Sequence, residues 1–365
     1  MPATKKLWQV LEPGNKKMKI KNKYFDIPII QGGMGVGVSL SKLAGNVAKC
    51  GAIGTISSAN IGFKEKDFNT NTLNANLRAL EREIKEAKEF ADGKGLIAVN
   101  IMMAVSHYDK ACKCAVEAGA DVIISGAGLP LNLPEFTKGT NTLCAPIVSS
   151  ARAARILIKH YKKHYDMVPD LLIIEGSKAG GHLGFSKEEL LNGTAKDVKT
   201  ILKEVKEVSE DIPVFVAGGV FDGTDMAEMK KLGAAGVQIG TRFIATDECD
   251  ADIRFKQVIT DAKAEDIIII KSPVGMPARA IKTPLLDRIA GGLKFLPNKC
   301  NGCLSACPKN EDIPYCISRA LIEAVKGNYN DGLFFAGSNA EKINEIVPVA
   351  KLISQIMKEY EECTT

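Results

Sequence analysis

The sequence has no apolar run long enough to cross a membrane. Its longest run, near Ile267 to Ile270, is far shorter than the roughly 20 residues that a membrane-spanning helix needs. The N-terminus, MPATKKLWQVLEPGNKK, carries charge but lacks the apolar core of about 7 to 15 residues found in a secretory signal. We therefore expect a cytoplasmic protein with no membrane segment.

Concentrated positive charge is also missing. The 48 Lys and Arg residues outnumber the 43 Asp and Glu residues, giving a net charge of +5 that is spread along the chain. A nucleic-acid-binding surface typically needs a basic stripe with aromatic residues among the basic ones. We expect a small-molecule substrate and no nucleic-acid partner, while the sequence leaves the oligomeric state open.

Short apolar runs recur eight times along the chain, most of them followed by a helical pattern. Several are nearly continuous, which is typical of parallel strands covered by helices on both faces. A chain of 365 residues is long enough for one barrel plus an appended region. We therefore predict the α/β class: a (β/α)₈ TIM barrel with a C-terminal cap and a closing helix. The predicted strands are Pro28 to Gly33, Ala52 to Ser57, Leu96 to Met103, Asp121 to Gly128, Leu143 to Ser150, Leu171 to Ser177, Pro213 to Gly219 and Gly236 to Phe243.

The predicted organisation has four parts. Residues 1–27 form an extension with a hairpin that plugs the bottom of the barrel, and residues 28–263 form the barrel itself. Residues 264–332 form a cap without further strand–helix alternation, and residues 333–365 hold a closing helix from Asn339 to Glu359. Within the barrel, the spacing of apolar residues predicts a helix from Leu73 to Phe90, and Ser39 is a good N-cap for a helix that ends at Lys49.

The last two barrel units carry a candidate phosphate site. In such barrels a phosphate often sits between the loops after strands seven and eight. Gly218 and Gly219 follow strand seven, with Asp222 placed to cap the next helix, and strand eight leads into Gly240 and Thr241. The alternative is that these glycines only form tight turns. The segment QGGMGVGV lacks the G-x-G-x-x-G spacing, so a Rossmann dinucleotide site is not supported.

Strand six leads into EGSKAGGHLGF, where two glycines precede His182. Gly180 and Gly181 leave the backbone bare, so that a flat ring such as an isoalloxazine can lie against it. Histidine suits proton transfer near neutral pH, so we predict that His182 is the catalytic base. The alternative is a structural histidine with a satisfied hydrogen bond.

The other three histidines are weaker candidates. His160 and His164 have the i, i+4 spacing of metal ligands on a helix, but lysines surround them and no third ligand is near in sequence. We predict that they lie on a solvated helix face. His107 follows strand three, where it either lines a cavity or caps its helix.

Four of the ten cysteines are clustered in KCNGCLSACPKNEDIPYC. Cys300, Cys303, Cys307 and Cys316 have the spacing C-x2-C-x3-C-x8-C, and four thiolates within such a short segment can ligate one ion or cluster. Iron–sulfur ligation, zinc ligation and a set of reduced thiols without metal all remain open. A disulfide framework is not expected in a cytosolic chain.

The order of these segments resembles the nitronate monooxygenase family, whose close relatives include flavin-dependent enoyl-acyl-carrier-protein reductases. The resemblance runs from about Ile27 to Val349, and its order and spacing are more specific than any one glycine pair. The matching segments are PIIQGGMG, GLIAVNIM, EGSKAGGHLG, IPVFVAGGV, AAGVQIGTRF and GSNAEKINEIVPV.

The resemblance implies a bound flavin mononucleotide (FMN) and a catalytic role for His182. It implies that His182 takes a proton from a nitroalkane or steadies the nitronate, and that the flavin passes electrons to oxygen, giving a carbonyl compound and nitrite. The implied FMN-binding residues, together with the adjacent glycines, are Gly32, Gly33, Met34, Asn100, Glu175, Gly180, Gly181, Gly218, Gly219, Gln238, Ile239, Gly240 and Thr241.

The chain departs from the family pattern in two places. Many relatives carry an acidic residue at the position of Lys178, which we expect to point to solvent, and the cysteine cluster has no counterpart in the pattern. The leading prediction is oxidation of nitronates. An NADH-dependent enoyl-thioester reductase is the alternative, and a non-catalytic flavin-binding protein is a third. The sequence leaves open the physiological substrate, the electron acceptor and the use of NAD(P)H.

Overall fold

A small antiparallel sheet closes one end of the molecule. The computed structural model describes residues 8–10, 17–297, 299–307 and 313–364. Strand β1 (Trp8–Val10) pairs with β2 (Met18–Ile20), which pairs with β3 (Lys23–Phe25). Met18, Ile20 and Phe25 are buried against the residues that begin the barrel strands, such as Leu96. The predicted hairpin therefore plugs the amino-terminal end of the barrel.

Eight parallel strands form a closed barrel, which confirms the predicted fold class. Several predicted strands extended too far at their carboxyl ends, because residues there leave the sheet. Gly218 and Gly219, for example, have φ angles of +87° and +101°, which a strand does not accommodate. With strands numbered along the chain, β10 (Gly181–His182) lies outside the barrel. The barrel strands are β4 (Ile29–Gln31), β5 (Ile53–Ser57), β6 (Leu96–Asn100), β7 (Val122–Ser125), β8 (Leu143–Val148), β9 (Leu172–Glu175), β11 (Val214–Ala217) and β12 (Gly236–Ile239).

Helices alternate with the strands and cover the barrel. Asp222 caps its helix as predicted, since its carboxylate accepts a hydrogen bond from the Asp225 backbone N–H at 2.9 Å. The described residues contain no helix that is long and apolar enough to cross a membrane. The helices are α1 (Ser41–Lys49), α2 (Thr72–Ala91), α3 (Tyr108–Glu117), α4 (Pro134–Thr137), α5 (Ala151–Tyr165), α6 (Lys187–Leu191), α7 (Val198–Ser209), α8 (Gly223–Lys231), α9 (Thr241–Ile244), α10 (Ile253–Thr260), α11 (Pro284–Ala290), α12 (Ile317–Val325) and α13 (Val349–Glu362).

The predicted N-cap of α1 was wrong. Helix α1 begins at Ser41, and the Ser39 hydroxyl instead accepts a hydrogen bond from the Met34 backbone N–H at 2.8 Å. The carboxylate of Asp250, which is remote in sequence, accepts hydrogen bonds from the backbone N–H groups of Leu40 at 2.7 Å and Leu43 at 3.1 Å. A residue remote in sequence therefore caps α1, whereas the sequence pattern predicted that the neighbouring Ser39 would do so.

The cap is more regular than the sequence indicated. The apolar run becomes β13 (Ile267–Lys271), which pairs with β14 (Pro277–Ile281) in an antiparallel hairpin. Strands β10 and β15 (Phe334–Phe335) both pair with β14, so the cap sheet includes the histidine loop. Short 3-10 turns lie at Ala264–Asp266 and Ala340–Lys342.

The closing helix α13 begins ten positions later than predicted. Pro348 occupies its N-cap position, because proline has no backbone N–H to donate and fits best at a helix start. Helix α13 packs on α8, and the Gly223 backbone N–H donates to Glu359 at 2.9 Å. The close approach leaves no room for a side chain at Gly223, where an added Cβ would lie 2.2 Å from the Ile356 carbonyl oxygen.

Candidate active site

One cavity of about 470 Å³ lies at the carboxyl ends of the barrel strands. This volume is within the range of ligand-binding cavities. The structure brings His182 and every residue predicted to hold the flavin to the wall of this cavity. Those residues are Gly32, Gly33, Met34, Asn100, Glu175, Gly180, Gly181, Gly218, Gly219, Gln238, Ile239, Gly240 and Thr241.

The glycines of the wall are required by close packing. A Cβ on Gly33 would lie 2.4 Å from the Cβ of Asn100, and a Cβ on Gly180 would lie 2.5 Å from the Ala336 carbonyl carbon. Real Cβ atoms do not approach other atoms this closely. Side chains at these positions would displace their neighbours, so the bare backbone keeps the cavity open.

The loop after β11 forms one corner of the cavity. Gly218 and Gly219 adopt left-handed backbone angles, and the carbonyl of Gly219 accepts a hydrogen bond from the side-chain amide of Asn339 at 2.7 Å. The Gly337 backbone N–H donates to the Thr241 hydroxyl at 2.8 Å. The chain before α13 therefore joins the two loops that were predicted to bind phosphate. Gly337 and Asn339 lie in the matching segment GSNAEKINEIVPV, but the sequence alone gave them no role.

His182 projects from the cap sheet into the same cavity. Strand β10 pairs with β14, which places His182 opposite Ala278. Its Nε2 atom lies 2.8 Å from the Oγ atom of Ser272, and its ring meets Phe335 edge-on at a centroid distance of 5.2 Å. Among the described residues, Nδ1 has no hydrogen-bond partner. One ring nitrogen is therefore held by the protein and the other is left for a ligand.

Burial sets the protonation state of His182. Removal from water lowers the pKa of its imidazole to about 4, because the charged form loses hydration without gaining a neighbouring anion. The ring is then neutral near pH 7. A neutral imidazole accepts a proton or a hydrogen bond but is a poor source of protons.

Sequence reasoning missed Ser272. This serine is 2% exposed and lies in the turn between β13 and β14, where its backbone N–H donates to the Met276 carbonyl at 3.0 Å. The buried hydroxyl of Tyr315 lies beside it, without a hydrogen bond of normal geometry to any described residue. Because the turn is fixed in this way, Ser272 can orient the imidazole of His182.

Three ionisable side chains besides His182 line the cavity, namely those of Glu175, Lys178 and Arg242. Burial raises the pKa of the Glu175 carboxyl to about 7, so a large fraction is protonated at neutral pH. Lys178 is exposed at the rim of the cavity, as expected. Its side chain lies against the Gly219 backbone, where an added Cβ would be 3.1 Å from the Lys178 Cβ. The cavity therefore carries little fixed negative charge.

Two buried polar atoms on the cavity wall fit a bound flavin. Gln238 Oε1 and Ser338 Oγ are buried and have no hydrogen-bond partner among the described residues. Buried polar atoms without partners are rare in native proteins and often indicate a ligand. A flavin mononucleotide offers ring N–H and ribityl hydroxyl donors, so the residues present fit this group.

A second cavity of about 220 Å³ adjoins the first. The two share several lining residues, among them His182, Met276 and Leu321. The rest of its wall is largely apolar and includes Ile61 and Leu77. His182 therefore lies where the main cavity meets an apolar branch.

The remaining histidines lie away from the main cavity. His107 lines the second cavity from the N-cap position of α3, where its side chain makes no capping bond. His160 and His164 stack on α5 with ring centroids 4.3 Å apart. Within the described ranges, no group of three or more His, Cys, Asp or Glu side chains is arranged to hold a metal ion.

Comparisons with known proteins show the family of this chain. A family model described as nitronate monooxygenase matches residues 16–359. The chain is 27% identical over 262 residues to a (3aS,4S,5R,7aS)-5-hydroxy-7a-methyl-1-oxo-octahydro-1H-indene-4-carboxyl-CoA dehydrogenase of Rhodococcus jostii (strain RHA1). That match covers 72% of this chain, and the aligned part spans 64% of the relative's length.

Two further similarities cover more of the related protein. The chain is 25% identical over 297 residues to a probable nitronate monooxygenase of Staphylococcus aureus (strain Newman), covering 76% of this chain and 81% of that one. Among solved structures, FabK from Thermotoga maritima is similar, with a TM-score of 0.72 and 28% identity over 93% of this chain and 94% of that one.

Proposed function

Because the chain belongs to the nitronate monooxygenase family of flavin oxidoreductases, we propose that it binds FMN and oxidises alkyl nitronates with O₂ to carbonyl compounds and nitrite. The observation that supports this best is His182, a neutral imidazole held by Ser272 on the cavity wall. A binding protein without catalysis has no need for such a group, so the non-catalytic alternative has the least support.

The chain's own residues supply the flavin site. Gly32, Gly33 and Asn100 would lie against the ring system, while Gly219 and the segment from Gln238 to Thr241 would hold the phosphate. When bound, the flavin accepts electrons from the substrate and passes them to an acceptor. The protein contributes glycine backbone against which the ring can lie, and two buried polar atoms without partners, Gln238 Oε1 and Ser338 Oγ, that can bind it. Its walls also exclude water from the flavin.

His182 can act as a base on a neutral nitroalkane or as a hydrogen-bond donor to a nitronate. With Nε2 bound to Ser272, Nδ1 can accept a proton from the carbon beside a nitro group, or donate a hydrogen bond to a nitronate oxygen in the other tautomer. The depressed pKa keeps the imidazole unprotonated across the physiological range, so Nδ1 can accept a hydrogen bond or a proton. Ser272 holds the ring so that it does not rotate away.

A second candidate is reduction of an enoyl thioester. The apolar branch beside His182 favours it, because an acyl chain would fit there, and the similarity to FabK and to a CoA dehydrogenase points to thioester substrates. We place it second because reduction of an enoyl group requires a proton donor at the substrate carbon. A histidine whose pKa lies near 4 is almost entirely unprotonated at neutral pH, so few molecules carry the proton to donate.

An anaerobic absorbance experiment distinguishes the two functions. Protein purified without air should show flavin bands near roughly 370 and 450 nm, and these should bleach when an alkyl nitronate is added. Bleaching should be lost in His182→Ala and retained in His164→Ala, since His164 is exposed on α5. Rapid bleaching by NADH followed by reoxidation with an enoyl thioester would favour the reductase, and the absence of flavin would contradict both.

A further inference from the structure

One half-buried arginine of the cap has no part in the function proposed above. Arg279 lies in the middle of β14, between Ala278 and Ala280, which are fully buried. Because successive residues of a strand point to opposite faces, Arg279 lies on the face away from Ala278 and its partner His182. Arg279 lines neither of the two cavities. It therefore lies behind the wall that carries the histidine.

The guanidinium of Arg279 binds the loop that leads to His182. Its Nη1 atom donates to the Ser177 carbonyl at 2.8 Å and to the Ala179 carbonyl at 2.5 Å. Among the described residues, Arg279 forms no ion pair with a carboxylate. The two loop carbonyls are therefore the groups that offset the burial of its charge, and hydrogen bonds from a charged donor are stronger than those between neutral groups.

The carbonyls of this loop are held from two sides. The Lys178 carbonyl, which lies between the two that Arg279 binds, accepts a hydrogen bond from the Ser338 backbone N–H at 3.1 Å. The Gly176 carbonyl accepts one from the Ala179 backbone N–H at 3.2 Å. Four successive carbonyls thus have protein donors, and two of the four depend on one guanidinium.

The orientation of these carbonyls determines the orientation of the N–H groups that follow them. In a planar trans peptide, the C=O and N–H bonds point in opposite directions. Two N–H groups share peptide units with the carbonyls bound by Arg279, so they point away from it. They belong to Lys178 and Gly180, which both line the main cavity. Within the described ranges neither N–H group has a hydrogen-bond partner, so both are available to a ligand.

We propose that Arg279 is a positioning residue for the flavin, which turns the Lys178 and Gly180 N–H groups toward the polar edge of the ring. The inference rests on the proposed binding of FMN, but not on which substrate is oxidised. Gly180 and Gly181 have no side chains, so a flat ring can come close enough to accept these bonds. Arg279 then acts on the flavin through the loop and does not touch it.

Hydrogen exchange on the wild-type protein tests the orientation of the two N–H groups. The chain is isotopically labelled at lysine and glycine, and the amide protons of Lys178 and Gly180 are followed with and without FMN. We expect both to exchange at least roughly tenfold more slowly with FMN bound, because a hydrogen-bonded amide is protected. Gly93, exposed in the loop between α2 and β6 at the other end of the barrel, should not change. Unchanged exchange at both Lys178 and Gly180 would overturn the proposal.

Arg279→Met should weaken flavin binding. Methionine keeps an unbranched apolar stem and removes every donor, so the two loop carbonyls lose their charged partner. We expect the Kd for FMN, measured from the flavin released on dilution of the holoprotein, to rise roughly tenfold or more. The matched control is Arg319→Met, since Arg319 is also half-buried and donates to a backbone carbonyl, that of Leu296, but lines neither cavity. This control should bind FMN as the wild type does.

Rescue by guanidinium ions separates positioning from a general loss of structure. In Arg279→Ala, millimolar guanidinium chloride should return the Kd for FMN toward the wild-type value, whereas sodium chloride at the same concentration should not. A misfolded variant would not recover, because guanidinium weakens folded structure. No recovery, or an unchanged Kd in Arg279→Met, would overturn this inference alone. A wild-type chain that binds no flavin would overturn it together with the proposed function.

Discussion

The Nε2 atom of His182 lies 2.8 Å from the Oγ atom of Ser272, although the two residues are 90 positions apart. His182 comes from the loop after β9 and Ser272 from the cap hairpin, and the pairing of β10 with β14 brings them together. The cap therefore determines how the imidazole is presented. Ser272 is a positioning residue, since it acts through His182.

Replacing Ser272 by alanine should lower turnover without loss of the flavin. A hydrogen bond to a neutral ring contributes about 1 kcal/mol, so we expect kcat for nitronate oxidation to fall roughly fivefold with little change in KM. The control is Ser209→Ala, which removes a hydroxyl that is equally buried but has no partner among the described residues. An unchanged kcat in Ser272→Ala would show that the hydrogen bond does not orient the imidazole for nitronate oxidation.

The barrel could be predicted from the sequence because its signals are local. Each strand is a short apolar run, and the long helix α2 was predicted to within one residue at each end. Strand order located the phosphate loops and the histidine loop, since the carboxyl ends of all barrel strands meet on one face, and the resemblance to the family supplied the other predicted residues of the cavity wall.

The cap and its contribution to the site could not be predicted in the same way. The four isoleucines of β13 are all half-buried and Lys271 is exposed, so the strand shows no alternation and its pattern matched neither a barrel strand nor a surface strand. The roles of Ser272 and Asp250 depend on contacts 90 and about 210 positions away in the chain. Such contacts leave no periodic signal, and only the three-dimensional structure shows them.

Glu175 should make the stability of the flavin-free protein depend on pH. Its carboxyl has a pKa of about 7 in the cavity against an ordinary value of 4.5, so the folded protein holds a proton that the unfolded chain releases between these values. Stability therefore falls as pH rises from 4.5 to 7 and stays lower above 7. Glu175→Gln should be more stable than the wild type by about 1 to 3 kcal/mol at pH 8.

Urea unfolding at pH 4.5 and pH 8 measures this effect. The advantage of Glu175→Gln should vanish at pH 4.5, where the wild-type carboxyl is protonated in the folded state. Glu207→Gln, an exposed change on α7, serves as control and should show no pH-dependent difference. An equal advantage at both pH values would point to packing and not to charge.

Gly33→Ala should remove the flavin. A Cβ at this position would lie 2.4 Å from the Cβ of Asn100 and 3.2 Å from the Thr55 methyl carbon, so the cavity wall must shift. Overpacking of this kind costs about 1 to 3 kcal/mol. We expect a lower melting temperature and a loss of most bound flavin, measured by absorbance after desalting.

Gly291→Ala is the matched control for Gly33→Ala. Gly291 has a φ angle of −79°, and a Cβ added there would have no neighbour closer than 3.4 Å, so alanine fits without strain. This variant should retain flavin and stability. Full flavin occupancy in Gly33→Ala would mean that the ring does not lie where we place it.

The apolar branch should determine which chain lengths the enzyme accepts. Ala111 lies on α3 and lines the second cavity but not the main one, so Ala111→Phe adds bulk to the branch and leaves the flavin wall intact. Each methylene excluded from an apolar site loses about 0.8 kcal/mol, which is roughly a fourfold loss in kcat/KM. Steady-state rates with a series of nitronates should therefore fall more steeply with chain length in Ala111→Phe, while the two-carbon substrate is unaffected.

Lys113→Phe places the same ring on the exposed face of the same helix and should leave the series unchanged. If Ala111→Phe slows the shortest substrate as much as the longest, the branch does not hold the substrate chain, and the case for a thioester substrate weakens with it.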